Sequence, residues 1–141
     1  MLLTGANGYI GLRLIPELLG AGHRVTALVR DKRRFPADEF PEGHLEVIEG
    51  DLLQPVTLPE LPDDLDAAFY LVHSMSAGGD FVEKEQRVGE HFTAWLDRSS
   101  CKRVIYLSGL VDESQELSPH LASRLAVERV LRRGKAALTV L

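Results

Sequence analysis

Residues 4–11 read TGANGYIG, which places glycines at Gly5, Gly8 and Gly11, three apart each time. An apolar run, Met1–Thr4, precedes them and an amphipathic pattern, Tyr9–Ala21, follows. The stretch therefore reads as a strand turning sharply into a helix. Such a turn leaves backbone N–H groups unpaired at the positive end of the helix dipole, where a pyrophosphate fits. Gly5 permits the sharp turn, Gly8 lets the backbone approach the phosphates, and Gly11 lets the helix pack close to the sheet. Thr4 and Asn7 can hydrogen-bond within the turn and hold its shape. The candidate cofactor-binding residues here are Gly5, Asn7, Gly8, Tyr9, Ile10 and Gly11. The alternative is a structural helix start in an unrelated α/β fold.

Outward from the turn, short apolar runs alternate with helix-period segments. Strands are expected at Met1–Thr4, Arg24–Arg30, Leu45–Glu49, Ala67–Val72, Arg103–Ser108 and Ala137–Leu141. Helices are expected at Tyr9–Ala21, Asp80–Arg98 and Pro119–Arg133, with weaker helical turns near Asp31–Phe40 and Thr57–Leu61. Runs such as AFYLV and VIYLS are apolar on both faces, which suits a parallel sheet covered on both sides. The alternation predicts an α/β fold, a doubly wound parallel Rossmann sheet in three α/β/α layers. Pro16, inside the first helical pattern, is expected to bend that helix mildly. Residues 1–141 read as one dinucleotide-binding domain with little left to cover the substrate side, so a C-terminal substrate-binding portion is expected to be missing.

Hydrophobic residues make up 45% of the chain and charged residues 26%, enough for a packed core and against disorder. Sixteen basic residues against 21 acidic ones give a net charge of −5, which argues against nucleic-acid binding. Basic residues do cluster at Arg30, Lys32, Arg33 and Arg34. The single cysteine, Cys101, rules out an internal disulfide and reads as passive. No apolar run is long enough for a membrane span and the N-terminus lacks a signal-peptide pattern, so a cytoplasmic location is expected. No metal is expected.

TGANGYIG resembles the T-G-x-x-G-x-x-G motif of extended and atypical short-chain dehydrogenases/reductases. LIPELLGAGHRVTALVR resembles the helix and second strand of their NmrA-like, NAD(P)H-binding branch. DAAFYLVHSM and RVIYLSGL resemble that branch's fourth and fifth strands, so the likeness covers essentially the whole chain. It implies a dinucleotide and an unidentified small molecule as ligands. It also implies pairing of two copies through helices 80–98 and 119–133, against which their charged outer faces speak.

On the family pattern, the position of the acid that selects NAD falls on Val29, and Arg30 follows it. The likeness therefore implies NADP, with Arg30 as the main 2′-phosphate contact and Arg33 or Arg34 as helpers. The rival is Asp31, 20 residues after Gly11, which would favour NAD by taking the ribose hydroxyls, unless, just past the strand end, it caps the next turn or pairs with a neighbouring Arg. Asp51 and Leu52 correspond to the family's adenine-binding pair, unless Asp51 only caps a turn. Leu71, Val72 and His73 end the fourth strand, where an open α/β sheet lines its ligand crevice, and Ser74 follows them.

The family's reductases use a serine after the fifth strand and a Tyr-x-x-x-Lys pair. Ser108 fits the serine position. His120 and Arg124 occupy the four-residue spacing of the missing tyrosine and lysine, with Glu128 one turn further on. A histidine can donate a proton near neutral pH, whereas an arginine can only bind and polarise. The resemblance thus implies an NADP-dependent oxidoreductase or epimerase-like enzyme with Ser108, His120 and Arg124 at its centre. The departure from the tyrosine and lysine leaves open a non-catalytic NAD(P)-binding module.

Overall fold

A computed structural model describes residues 1–73, 81–109 and 118–141. Its strands are β1 (Leu2–Thr4), β2 (Val25–Val29), β3 (Leu45–Glu49), β4 (Ala67–Tyr70), β5 (Arg103–Tyr106) and β6 (Ala137–Val140). They form a single parallel sheet in the order β3-β2-β1-β4-β5-β6. The helices are α1 (Tyr9–Gly20), α2 (Phe81–Leu96) and α3 (Pro119–Leu131). This is the doubly wound Rossmann arrangement that the alternation predicts. The order reverses between β1 and β4, and the crevice for a ligand opens there, beyond the strands' carboxyl ends.

Side chains alternate across the sheet and divide the core in two. On one face Leu3, Val25, Ala27 and Val29 pack with Ile15 and Leu18 of α1. On the other, Leu2, Ala68, Tyr70, Val104 and Tyr106 pack with Val88, Phe92 and Trp95 of α2 and Val127 and Leu131 of α3. All five residues of β2 are buried, the polar Thr26 among them, as a strand covered on both faces requires. The Tyr70 ring meets Phe92 edge-on at 4.9 Å and Tyr106 at 5.7 Å, tying β4, β5 and α2 together.

The helix ends follow local chemistry. Helix α1 continues through Pro16, which lies on its exposed face. It stops at Gly22, whose φ of 82° is left-handed and whose N–H donates to the Leu19 carbonyl. Helix α3 starts on Ser118, whose hydroxyl accepts from the Leu121 N–H, with Pro119 in the first turn. The buried stripe of α2 runs Glu85, Val88, Phe92, Trp95, Leu96, with a carboxylate where the spacing calls for an apolar side chain.

Several element ends differ from expectation by one or two residues, and one turn is displaced. β4 and β5 end two residues early, at Tyr70 and Tyr106. β1 turns away at Gly5, so β4 has no partner on that side beyond Tyr70. β5 stays tied to the chain after β6 by Ser108 N–H donating to Leu141 at 2.9 Å. The turn expected at 57–61 falls instead at Pro55–Thr57, because Thr57 Oγ1 donates back to the Gln54 carbonyl at 2.8 Å.

Candidate functional site

The sharp turn at Gly5 is built as the sequence demands. Its φ is 69°, and a Cβ there would stand 2.7 Å from the Leu71 carbonyl oxygen. The end of β4 therefore presses directly on the turn. Thr4 secures that contact: its hydroxyl donates to the Phe69 carbonyl at 3.1 Å and accepts from the Leu71 N–H at 3.4 Å. Thr4 thus joins β1 to β4 rather than bracing the turn from within.

The other two glycines differ in kind. A Cβ at Gly11 would lie 2.5 Å from the Gly5 carbonyl oxygen and 2.6 Å from that of Ala6. What Gly11 clears is therefore the backbone of the turn itself. A Cβ at Gly8 would meet only the Gly5 oxygen, at 3.1 Å. Gly8 caps α1 in an extended conformation with no side chain closing the helix end. The positive end of α1 is thus left to whatever occupies the crevice.

A cavity of about 460 Å³ fills that crevice. Gly5, Asn7 and Gly8 line its middle. Arg30, Asp51 and Leu52 line one end, and Leu71, Val72 and His73 follow the end of β4. Tyr9 and Ile10 lie exposed at the start of α1, and the Arg13 guanidinium stacks 3.6 Å from the Tyr9 ring centre. Asp51 both faces the cavity and holds its loop, since Oδ1 accepts from the Leu53 N–H at 2.9 Å. Leu52 is buried, and its carbonyl accepts from His91 Nδ1 of α2 at 2.6 Å.

Arg30 and Asp31, adjacent in sequence, have different surroundings. Arg30 lines the cavity. Asp31 caps the short 3-10 turn Lys32–Arg34 and binds the Arg33 side chain through both carboxylate oxygens. That guanidinium holds the Asp31 carboxyl below the usual carboxylate range, its hydrogen bonds being the largest cause.

The far end of the crevice is made of side chains from four elements. His73 Nε2 lies 3.1 Å from the Leu107 carbonyl oxygen. A carbonyl only accepts, so Nε2 carries the proton and the neutral ring keeps its lone pair on Nδ1. Arg124 Nη1 lies 3.5 Å from the same nitrogen and from the same carbonyl. Burial first, and then this guanidinium, pushes the His73 pKa down. The Tyr106 hydroxyl donates to the Arg124 carbonyl at 3.2 Å, and burial pushes this phenol up to about 12. Ser108 Oγ is buried and makes no hydrogen bond among the described residues, though it lies near enough to Tyr106 to offset a little of that rise.

The structure brings Arg124 against His73, with Ser108 one residue past the Leu107 carbonyl that both approach, although neither Ser108 nor Arg124 lines the cavity. It sets His120 apart: this residue is exposed at the start of α3, its ring 5.1 Å from Phe81. Arg33 does not line the cavity, and Ser74 lies outside the described residues. Lys84 and Glu85 of α2, which the sequence reading passed over, do line it. Glu85 is buried and accepts from Ser123 Oγ of α3 at 2.5 Å. The interruption of the α2 apolar stripe at Glu85 was the available signal. Cys101 is buried, and its thiol donates to the Arg103 carbonyl at 3.3 Å.

A parallel sheet with a glycine turn at its switch point and an uncapped helix end on an open crevice defines a dinucleotide-binding Rossmann domain. The chain belongs to the NAD(P)H-binding family, whose model matches residues 5–141. That match carries the NAD(P)H-binding character that the resemblance of TGANGYIG implies. The chain is 29% identical over 132 residues to the ceramide reductase of Caulobacter vibrioides, covering 92% of this chain and 41% of that protein. It is 25% identical to MoeE5, solved in complex with UDP-glucose and NAD, at a TM-score of 0.69 over 99% of this chain and 51% of that one. The triphenylmethane reductase of Citrobacter sp., solved with NADP(H), shares the fold at a TM-score of 0.80 and 18% identity, over 99% of this chain and 47% of that one. The chain thus spans about half the length of these relatives, or less. Among the described residues no helix is long and apolar enough to cross a membrane.

Proposed function

We propose that this domain binds NADP in preference to NAD and serves an oxidoreductase, or a related epimerase-like enzyme, acting on a carbonyl or hydroxyl of a small molecule. The observation that carries the choice of coenzyme is the contrast at the end of β2. Arg30 lines the cavity, while the Asp31 carboxylate is engaged by Arg33. A guanidinium suits a 2′-phosphate, and a free carboxylate would repel one. Gly5, Asn7, Gly8, Tyr9, Ile10 and Gly11 hold the pyrophosphate through backbone N–H groups and clearance. Asp51 and Leu52 take the adenine, and Leu71, Val72 and His73 border the riboses. The bound coenzyme supplies hydride chemistry. The Ser108 hydroxyl would donate to the substrate oxygen, and the fixed charge of Arg124 would draw negative charge developing there. Substrate specificity is assigned to residues beyond this domain, a reading that the greater length of the relatives supports.

Titration of NADPH and NADH, followed by cofactor fluorescence, tests this reading. Arg30→Ala should weaken NADPH about 10- to 100-fold, as loss of a charged phosphate contact does, and leave NADH within about twofold. Tighter NADH than NADPH in the parent chain would overturn the coenzyme assignment.

A second reading, a cofactor-sensing module without turnover, draws on the placement of His120 outside the cavity. NADPH consumption across a panel of ketones and nucleotide sugars separates the two. Turnover that survives His120→Ala would place the proton route elsewhere, and turnover lost in that variant with NADPH binding kept would place it on His120.

A further inference from the structure

Asp31 stands 20 residues after Gly11. In a dinucleotide-binding fold an acid about 20 residues past the glycine motif takes the ribose hydroxyls of NAD. In this protein that carboxylate is committed three times to one neighbour. Oδ1 accepts from the Arg33 backbone N–H and from Arg33 Nε, each at 3.0 Å, and Oδ2 accepts from Nη2 at 3.0 Å. The turn that carries Arg33 is itself fixed, because Glu49 Oε2 on β3 accepts from the Lys32 N–H at 2.9 Å. Arg30, one residue before Asp31, faces the cavity, while Asp31 and Arg33 are absent from its lining.

We infer that Arg33 sets coenzyme preference without touching the coenzyme, by holding the Asp31 carboxylate on itself and cancelling its charge. This rests on the NADP reading above and changes the part Arg33 plays in it, from helper at the phosphate to positioning residue. Three features support it. A bidentate guanidinium–carboxylate pair satisfies the two oxygens that a ribose diol would need. The backbone N–H of Arg33 adds a third bond that keeps the carboxylate over its own turn. The net charge of the Asp31–Arg33 pair is zero, so the 2′-phosphate meets Arg30 without an opposing anion one residue away.

The test is a double-mutant cycle of the parent chain, Arg33→Ala, Asp31→Asn and the double variant, each titrated calorimetrically with NADPH and with NADH. Asp31→Asn keeps an acceptor oxygen for the Arg33 N–H, so the turn is preserved. Arg33→Ala should weaken NADPH about fivefold and tighten NADH by about twofold or more, the scale of an exposed charge interaction. In the Asp31→Asn background the same Arg33 substitution should change neither coenzyme. Equal loss of NADPH affinity in both backgrounds would make Arg33 a direct phosphate contact and overturn the proposal. No change in either coenzyme on Arg33→Ala would overturn it as well. The readout is the change in the NADPH-to-NADH ratio. A parent chain that prefers NADH would sink the NADP assignment, and the shift in ratio would still decide the role of Arg33.

Discussion

The glycine turn and the far end of the crevice are built from different materials. The turn between β1 and α1 is made of backbone: a left-handed Gly5, clearance at Gly11 and the open end of α1. The end beyond β4 and β5 is made of side chains from separate elements: His73 after β4, Ser108 after β5, Glu85 on α2 and Arg124 on α3. Backbone geometry tolerates few substitutions, because every alternative collides with main chain. Side-chain chemistry can be exchanged while the helices keep their packing. A domain of this kind can therefore retain its coenzyme cradle while the side chains at its far end change.

The sharpest way to break this contrast lies within the cradle. Gly11→Ala forces a methyl group to within 2.5 Å of a carbonyl oxygen, in a turn with no flexible side chain to yield. It should cost more than about 3 kcal/mol of stability, read as a lowered urea midpoint. Gly8→Ala meets one backbone oxygen, at 3.1 Å, and replaces the N-cap glycine of α1, so it should cost about 1 kcal/mol, well below Gly11→Ala. Its methyl group would instead stand where the phosphates approach, and NADPH affinity should fall about tenfold or more. Equal losses of stability in the two variants would show that both glycines serve the fold alone.

The same difference governs what could be read in advance. The glycine turn, the six strands and the three helices are local patterns, and each lies within two residues of its expected place. Gly5 and Gly11 were legible because a sharp strand-to-helix turn has few solutions. At the far end His73, Ser108 and Arg124 could be named from the family pattern but their contacts could not, because the partners lie 17 to 51 residues apart in sequence, as between Arg124 and Leu107 or His73. Glu85 was not singled out in the sequence, because only the packing of α3 on α2 sets it against Ser123. The family likeness offered Arg33 as a helper at the phosphate, and the position of Asp31 past the strand end also allowed a turn cap or an Arg pair; the geometry of the turn shows both on Arg33.

Within the far end, the Ser123–Glu85 bond joins α3 to α2 beside the cavity, with Ser123 fully buried. Ser123→Ala removes one donor from a buried carboxylate at almost no change in volume. It should cost about 1–3 kcal/mol, measured by urea unfolding. NADPH affinity should move less than in Gly8→Ala, because the cradle lies on other elements. A larger loss of NADPH affinity than of stability would join the two ends of the crevice into one unit.

The smallest expected effect concerns pH and isolates one side chain of the far end. His73 is held neutral by burial and by Arg124, so its pKa in the fold lies below the value of about 6.5 in the unfolded chain. The unfolded state therefore binds the proton first as pH falls. Stability from this group is complete above pH 6.5 and declines through the window down to the lowered pKa, with a slope of at most about 1.4 kcal/mol per pH unit. His73→Gln can still donate to the Leu107 carbonyl but cannot titrate, and it should remove that part of the acid-side slope. Arg124→Gln should only reduce it, because burial, the larger cause, remains. Urea midpoints between pH 5 and 8 read both effects. An unchanged slope in His73→Gln would mean that His73 is solvated in solution, and the far end would then be looser than the cradle in structure as well as in sequence.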